Sequence, residues 1–425
     1  MTRETGPRRL DSFAIQGLLV FGAQMAVNLS NFLFHAFVSR RIGVEEYGAL
    51  NALVSAFNIF AVVAVVVTTV VAKTVAELRS AGAEGRIRDF SIRALGILGC
   101  VVVAISVVGW LGAPFFASYL QISSPTAIVL TAAILAVNFL LPLRGILQGA
   151  ELFVPYAISL VLEAVLKVVL AVAIVALGFG LNGALSGWLI GAGIALAYTL
   201  FAGVVRFARA SSGCYRIDYR RIGIATFGTV VAGLLLALMQ FSDVVIVKHF
   251  LDPVQAGLYA AAALAGRMLF LLVNFVPIVL LPHAVRAAQT QGSPQKILAK
   301  ALAVIVVLSG IGLVCYAVAP GLIVGTLAGS AFRPAAPLLF PYAIAAAIFA
   351  VLNTMVTYRI GVHRLGFIVP LAVVVAVEIG VMWRLHSSPL QIIEIMMIGN
   401  VVGIAVCCAG LIGTSGTTKA VVAGV

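Results

Sequence analysis

A chain of 425 residues that is 63% hydrophobic and 10% charged has too little polar surface to fold as a water-soluble domain. Its mean hydropathy is +1.17. The net charge of +13 would suggest a nucleic-acid partner in a soluble protein, but here it sits between apolar runs and reads as membrane topology.

Twelve stretches reach the roughly 20 apolar residues that a bilayer crossing takes. They are 13–38, 47–72, 90–111, 126–147, 153–177, 183–206, 223–249, 256–281, 301–327, 335–357, 366–385 and 391–412. All are predicted helices, since a lone strand in lipid leaves its backbone polar groups unpaired. The expected fold class is therefore an all-α integral membrane protein.

Span 1 carries Gln24, Asn28, Asn31 and His35 at spacings of 4, 3 and 4, so all four share one face. Its length and these polar groups mark it as a retained span rather than a cleaved signal. Span 2 repeats the device with Asn51, Ser55 and Asn58, then Thr69 and Lys73. Span 5 holds Glu163 and Lys167 near mid-depth. Their i, i+4 spacing predicts an internal ion pair.

Span 7 offers Gln240 and Asp243, with Asp243 and Lys248 expected near the outer surface and Lys248 reaching for water. Span 8 offers Arg267 and Asn274 on one face, with no acid on that helix beside Arg267. Glu378 lies halfway down span 11 with no basic partner at helical spacing. Each deep charge costs about 2.5–3.5 kcal/mol at the centre of a membrane helix, so each must pair or face water. Arg267 is the predicted anion-binding group, because a guanidinium grips two phosphate oxygens at once. Asn28, Asn31, His35, Asn58, Asn274, Gln240 and Asp243 are the expected lining of a hydrated cavity. Glu163, Lys167 and Glu378 are assigned to binding or coupling. Pro142, Pro277 and Pro341 fall inside spans and predict kinks. The glycines fit close helix packing without marking a particular motif, and Cys407 and Cys408 read as packing residues.

Of the 27 lysines and arginines, twenty fall on one set of alternate loops. Only Arg40, Arg41, Lys248, Arg333 and Arg384 fall on the other, and Lys167 and Arg267 lie within spans. Cytoplasmic loops retain positive charge, so both termini are expected in the cytoplasm. The basic segment 207–222 divides the chain into six-span halves, 1–206 and 223–425. The halves look like copies. At an offset of 209, Phe32 meets Phe241, Gly48 meets Gly257, and Asn58 meets Arg267. At an offset of 215, Asn138 meets Asn353, Arg144 meets Arg359, Pro155 meets Pro370 and Glu163 meets Glu378. An even number of spans per copy implies a parallel repeat, a device of transporters that place substrate in a central cavity between two bundles.

There is no phosphate-binding G-x-x-x-x-G-K-[ST] loop, no H-E-x-x-H and no G-x-S-x-G. No cofactor or metal is expected, and an enzyme is disfavoured.

Residues Ser39 through Leu50 read Ser-Arg-Arg-Ile-Gly-Val-Glu-Glu-Tyr-Gly-Ala-Leu. This resembles the R-x-L-G-x-x-E-Y-G-x-L signature of the polysaccharide-biosynthesis (O-antigen type) flippases, within the multidrug/oligosaccharidyl-lipid/polysaccharide exporter superfamily. Leu251 through Tyr259 looks like the second-half echo of that motif, and Leu147-Gln148-Gly149 with Phe153 is similar to the family's turn between spans 4 and 5. The resemblance implies a V-shaped transporter with a cationic lumen. It would move a polyprenyl-diphosphate-linked oligosaccharide from the cytoplasmic to the outer leaflet of the inner membrane. Membrane lipids, glycosyltransferases and a glycan polymerase are the implied partners. A cation antiporter of the multidrug and toxin extrusion type is the alternative, and a polytopic glycan-modifying enzyme the third.

Overall fold

A computed structural model describes residues 8–205, 219–277, 294–362 and 364–412. The chain divides into two compact units, Met1–Thr226 and Phe227–Val425. Most of the basic segment 207–222 lies outside the described residues. Its last part already belongs to a helix that starts at Tyr219.

The described residues are helical almost throughout. Unit 1 contains α1 (Arg8–Ser80), α2 (Glu84–Tyr119), α3 (Pro125–Leu140), α4 (Arg144–Gly149), α5 (Phe153–Ile174) and α6 (Gly180–Leu200). The boundary falls within α7 (Tyr219–Phe250), and unit 2 goes on with α8 (Pro253–Val273), α9 (Pro294–Val318), α10 (Pro320–Leu327), α11 (Ala336–Gly361), α12 (Ile368–Arg384) and α13 (Pro389–Ile412).

Ten apolar helical stretches among the described residues are long enough to cross a bilayer. Two of them fold back on themselves. In α1 the helix breaks at Gly43, whose φ of 79° and ψ of 175° are open only to glycine. His35 and Tyr47 lie twelve residues apart, a rise of about 18 Å in a straight helix. Yet the Tyr47 hydroxyl meets His35 Nδ1 at 3.3 Å. The chain therefore reverses at Gly43, between the spans predicted at 13–38 and 47–72. The second reversal is a π-helical turn, Val175–Phe179, with positive φ at Gly178 and Gly180. It falls between the spans predicted at 153–177 and 183–206.

Glu46 explains how these two reversals are tied. Its Oε2 accepts the backbone N–H of Leu181 at 2.9 Å, capping the start of α6. A side chain at Gly180 would strike that carboxylate at 2.7 Å. In unit 2 the residue 209 positions beyond Gly43 is Asp252. It starts α8 as its N-cap, accepting from the amides of Val254 and Gln255 with Pro253 at the first helical position.

Two G-x-x-x-G pairs set close helix-to-backbone approaches in unit 1, so these glycines do carry a motif. A Cβ at Gly145 or Gly149 would lie 2.5 Å from Thr68 O or 2.3 Å from Ala72 O. One at Gly187 or Gly191 would lie 2.2 Å from Ala171 N or 2.7 Å from Lys167 N. Without Cβ atoms the backbones pack directly, as membrane helices without a hydrophobic drive must. In unit 2, α8 is the central helix. Two thirds (67%) of its most apolar window is buried, against 17% for α9. Outward faces carry exposed Leu18, Trp110, Val318 and Val369, as lipid contact requires.

Pro142 lies in a 3₁₀ turn, Leu141–Leu143, that separates α3 from α4. The span predicted at 301–327 is interrupted at Ala319, where α9 ends and α10 begins at Pro320. Pro341 sits inside an unbroken α11, and Pro277 is the last described residue of its segment.

Candidate functional site

Of the deep charges predicted from sequence, Lys167 and Glu378 are buried and Glu163 and Arg267 are half-buried, and their partners differ from those expected. In unit 2, Asp243 on α7 is completely enclosed. Its Oδ1 pairs with Arg267 Nη2 on α8 at 2.8 Å. Its Oδ2 accepts the hydroxyls of Tyr259 at 3.0 Å and Tyr342 at 2.7 Å. Arg267 Nη2 also donates to Gln240 O at 2.8 Å, and the guanidinium lies 4.7 Å from the Phe241 ring centre. Gly266 makes room for this knot, since a Cβ there would meet the Tyr342 ring at 2.4 Å.

Arg267 is thus already neutralised by a carboxylate, which sequence spacing could not show because the acid sits on the neighbouring helix. The group expected to be an open anion receptor is an internal ion pair. It borders a small recess with Gln240, Tyr342, Met396 and Asn400 on its walls. Lys248 is also buried, at 2% exposure, and does not extend to the surface.

In unit 1 the expected Glu163–Lys167 pair does not form. Glu163 Oε2 instead meets Arg144 Nη1 at 2.8 Å. Arg144 also donates to Ser159 Oγ at 2.8 Å and Ser159 O at 2.9 Å, and Ser159 Oγ meets Thr199 Oγ1 at 2.7 Å. Ser159 and Glu163 stand one turn apart on α5, so a single planar guanidinium can satisfy both. A lysine one turn further along offers only a point charge.

Lys167 turns the other way. Its ammonium donates to Asn31 Oδ1 on α1. It lies 5.3 Å from the ring centre of Phe34 and 5.1 Å from that of Trp188. Gly187 and Gly191 flank Trp188 and let α6 press onto the α5 backbone at Lys167. That G-x-x-x-G spacing around a tryptophan was the available sequence signal for this box.

The amide row on α1 is open. Gln24, Asn28 and Asn31 are exposed on the helix surface, and Gln24 Nε2 donates to Asn28 Oδ1 at 3.4 Å. His35 belongs instead to the Gly43 turn through Tyr47. Asn51 Nδ2 donates to Tyr47 O, and Asn51 and Ser55 are buried between helices. Asn58 is half-buried. Asn274, at the end of α8, accepts from Asn353 Nδ2 at 3.2 Å, away from the Arg267 knot.

Glu378 on α12 is 4% exposed, and neither carboxyl oxygen has a hydrogen-bond partner. Gly399 on α13 provides its space, since a Cβ there would fall 2.3 Å from Oε2.

A sequence profile described as polysaccharide biosynthesis protein matches residues 16–288. The chain belongs to that family. No curated protein matches it by sequence. Solved structures show the fold. A multidrug resistance MATE family transporter of the MOP superfamily, in an inward-facing conformation, aligns with a TM-score of 0.76 at 13% identity, covering 93% of this chain and 97% of that one. The lipid II flippase MurJ aligns with a TM-score of 0.69 at 12% identity, covering 94% and 87%. A eukaryotic MATE transporter aligns with a TM-score of 0.65 at 12% identity, covering 94% and 95%. The fold of this multi-pass membrane protein is therefore the one those transporters share.

Proposed function

We propose that the protein is a flippase and not an enzyme. It carries a polyprenyl-diphosphate-linked oligosaccharide from the cytoplasmic to the outer leaflet of the inner membrane by alternating access, with both termini cytoplasmic. The observation that carries this reading is the open row Gln24, Asn28 and Asn31 on a membrane helix, ending at the Lys167 ammonium. Amides exposed on so apolar a helix are disfavoured against lipid and suit a wet face. Carboxamides bond sugar hydroxyls, and a cation receives phosphate. Membership of the polysaccharide biosynthesis family supports the same substrate class. Glycosyltransferases that build the glycan and a polymerase that consumes it are the implied partners.

A cation antiporter is the second reading, and Glu378 is the observation in its favour, since an acid without a counter-ion suits exchange of cations. The acid on α7 does not serve it, because Asp243 is committed to Arg267 and two tyrosines. In the flippase reading Glu378 is the coupling group.

Reconstitution separates the two. Proteoliposomes should translocate a fluorescent polyprenyl-diphosphate oligosaccharide across the bilayer and should not accumulate a lipophilic cationic dye under a proton or sodium gradient. Dye transport without glycan-lipid translocation overturns the flippase reading.

A further inference from the structure

Lys167 is the one deep basic side chain in unit 1 whose described contacts include no carboxylate. Ion pairs among the described residues include Lys73–Glu77, Arg144–Glu163 and Arg267–Asp243. Glu163, one turn from Lys167, is taken by Arg144. The ammonium is left with one neutral carbonyl oxygen, from Asn31, and two aromatic faces. Ring quadrupoles soften a buried cation but bring no negative charge. An ammonium has three donors, and Asn31 occupies one.

We propose that Lys167 and Asn31 form the docking point for the diphosphate of the ligand, a role that rests on the flippase reading above. Lys167 is 9% exposed, and Asn31, which its ammonium contacts, is exposed. A phosphate oxygen takes the place of Asn31 Oδ1 and supplies the missing charge. The carboxamide, turned about its last bond, then donates through Nδ2 to the same phosphate. Phe34 and Phe57 pack edge-on against Trp188 at 6.2 and 4.9 Å and hold the lysine stem in place. Asn28 and Gln24 continue the row one and two turns away, within reach of the first sugar. Arg267 does not compete for the anion, because its counter-ion is built in.

Trp188 reports on the box directly. In full-length protein in neutral detergent carrying Trp110→Phe and Trp383→Phe, Trp188 is the sole tryptophan. Farnesyl diphosphate, inorganic diphosphate and phosphatidylglycerol are titrated against its emission. Both diphosphates are expected to shift it, and Lys167→Met to weaken both by roughly ten- to a hundredfold. The melting temperature of Lys167→Met should equal or exceed that of the parent, while the rise induced by diphosphate disappears. A merely structural lysine would lower the melting temperature and leave affinity unchanged. If Lys167→Met does not accumulate, Asn31→Leu carries the same titration and should weaken both diphosphates by less.

Equal farnesyl diphosphate affinity in parent and Lys167→Met overturns the docking role and leaves the flippase reading standing. A Lys167-dependent response to inorganic diphosphate alone keeps the docking role and counts against a prenyl-linked substrate. Phosphatidylglycerol matching the diphosphates makes this a site for bulk headgroups and overturns the proposal. No response of the parent to either diphosphate overturns both readings.

Discussion

Arg144 and Glu163 form a 2.8 Å ion pair in unit 1, while the residues 215 positions further on do not pair. Arg359 donates instead to Cys407 O at 2.7 Å and to Arg364 O at 3.5 Å, and Glu378 is left without a hydrogen bond. The same two residue types, at the same spacing, serve as a structural lock in one unit and leave an available acid in the other.

That difference predicts opposite outcomes for one substitution. Glu163→Gln leaves a buried guanidinium without its charge partner and should lower stability by about 3 kcal/mol. Glu378→Gln removes a carboxyl that nothing holds and should leave stability unchanged or raised. Thermal unfolding in detergent decides it. A Glu163→Gln protein as stable as the parent means the pair contributes nothing.

The Arg267–Asp243 pair makes single and double variants informative. Arg267→Ala strands a fully enclosed carboxylate between two tyrosine hydroxyls, and membrane levels should fall. Arg267→Met combined with Asp243→Leu removes both charges and should recover much of the loss, with a coupling energy of about 1–3 kcal/mol. Normal levels of Arg267→Ala with glycan export abolished would show the guanidinium acting on substrate directly.

Gly187 and Gly191 should tolerate no side chain. Gly187→Leu drives a Cβ into Ala171 N and separates α5 from α6, so the protein should fail to accumulate. Gly193 sits on the same helix with nothing within 4 Å of its added Cβ. Gly193→Ala should be neutral or stabilising by up to about 1 kcal/mol. Equal effects at the two positions would sink the close-packing account.

Gly43→Ala isolates backbone strain. No atom lies within 4 Å of the added Cβ, so only φ opposes it. The expected loss is about 1–3 kcal/mol, read as a lower melting temperature. No loss would mean the reversal between His35 and Tyr47 does not need the glycine conformation.

The apolar stretches were legible because a bilayer sets a minimum length for any crossing, and the positive φ at Gly43 sits inside the motif that marks the break. Ten apolar helical stretches stand among the described residues, and two of them fold back where a glycine at positive φ breaks the helix. The open amide row of Gln24, Asn28 and Asn31 was also visible, since residues three and four apart must share a helix face.

The pairings were not legible. Periodicity along one helix joined Glu163 to Lys167 and found no acid for Arg267. The actual partners lie 24 residues apart for Arg267 and Asp243 and 136 apart for Lys167 and Asn31. Composition and spacing determined that this chain lives in a membrane and which polar groups interrupt its apolar runs. Only the packed structure decided which charges cancel and which remain available. A buried charge takes the best-placed counter-ion among all the helices around it, and that choice depends on how closely glycines let those helices approach.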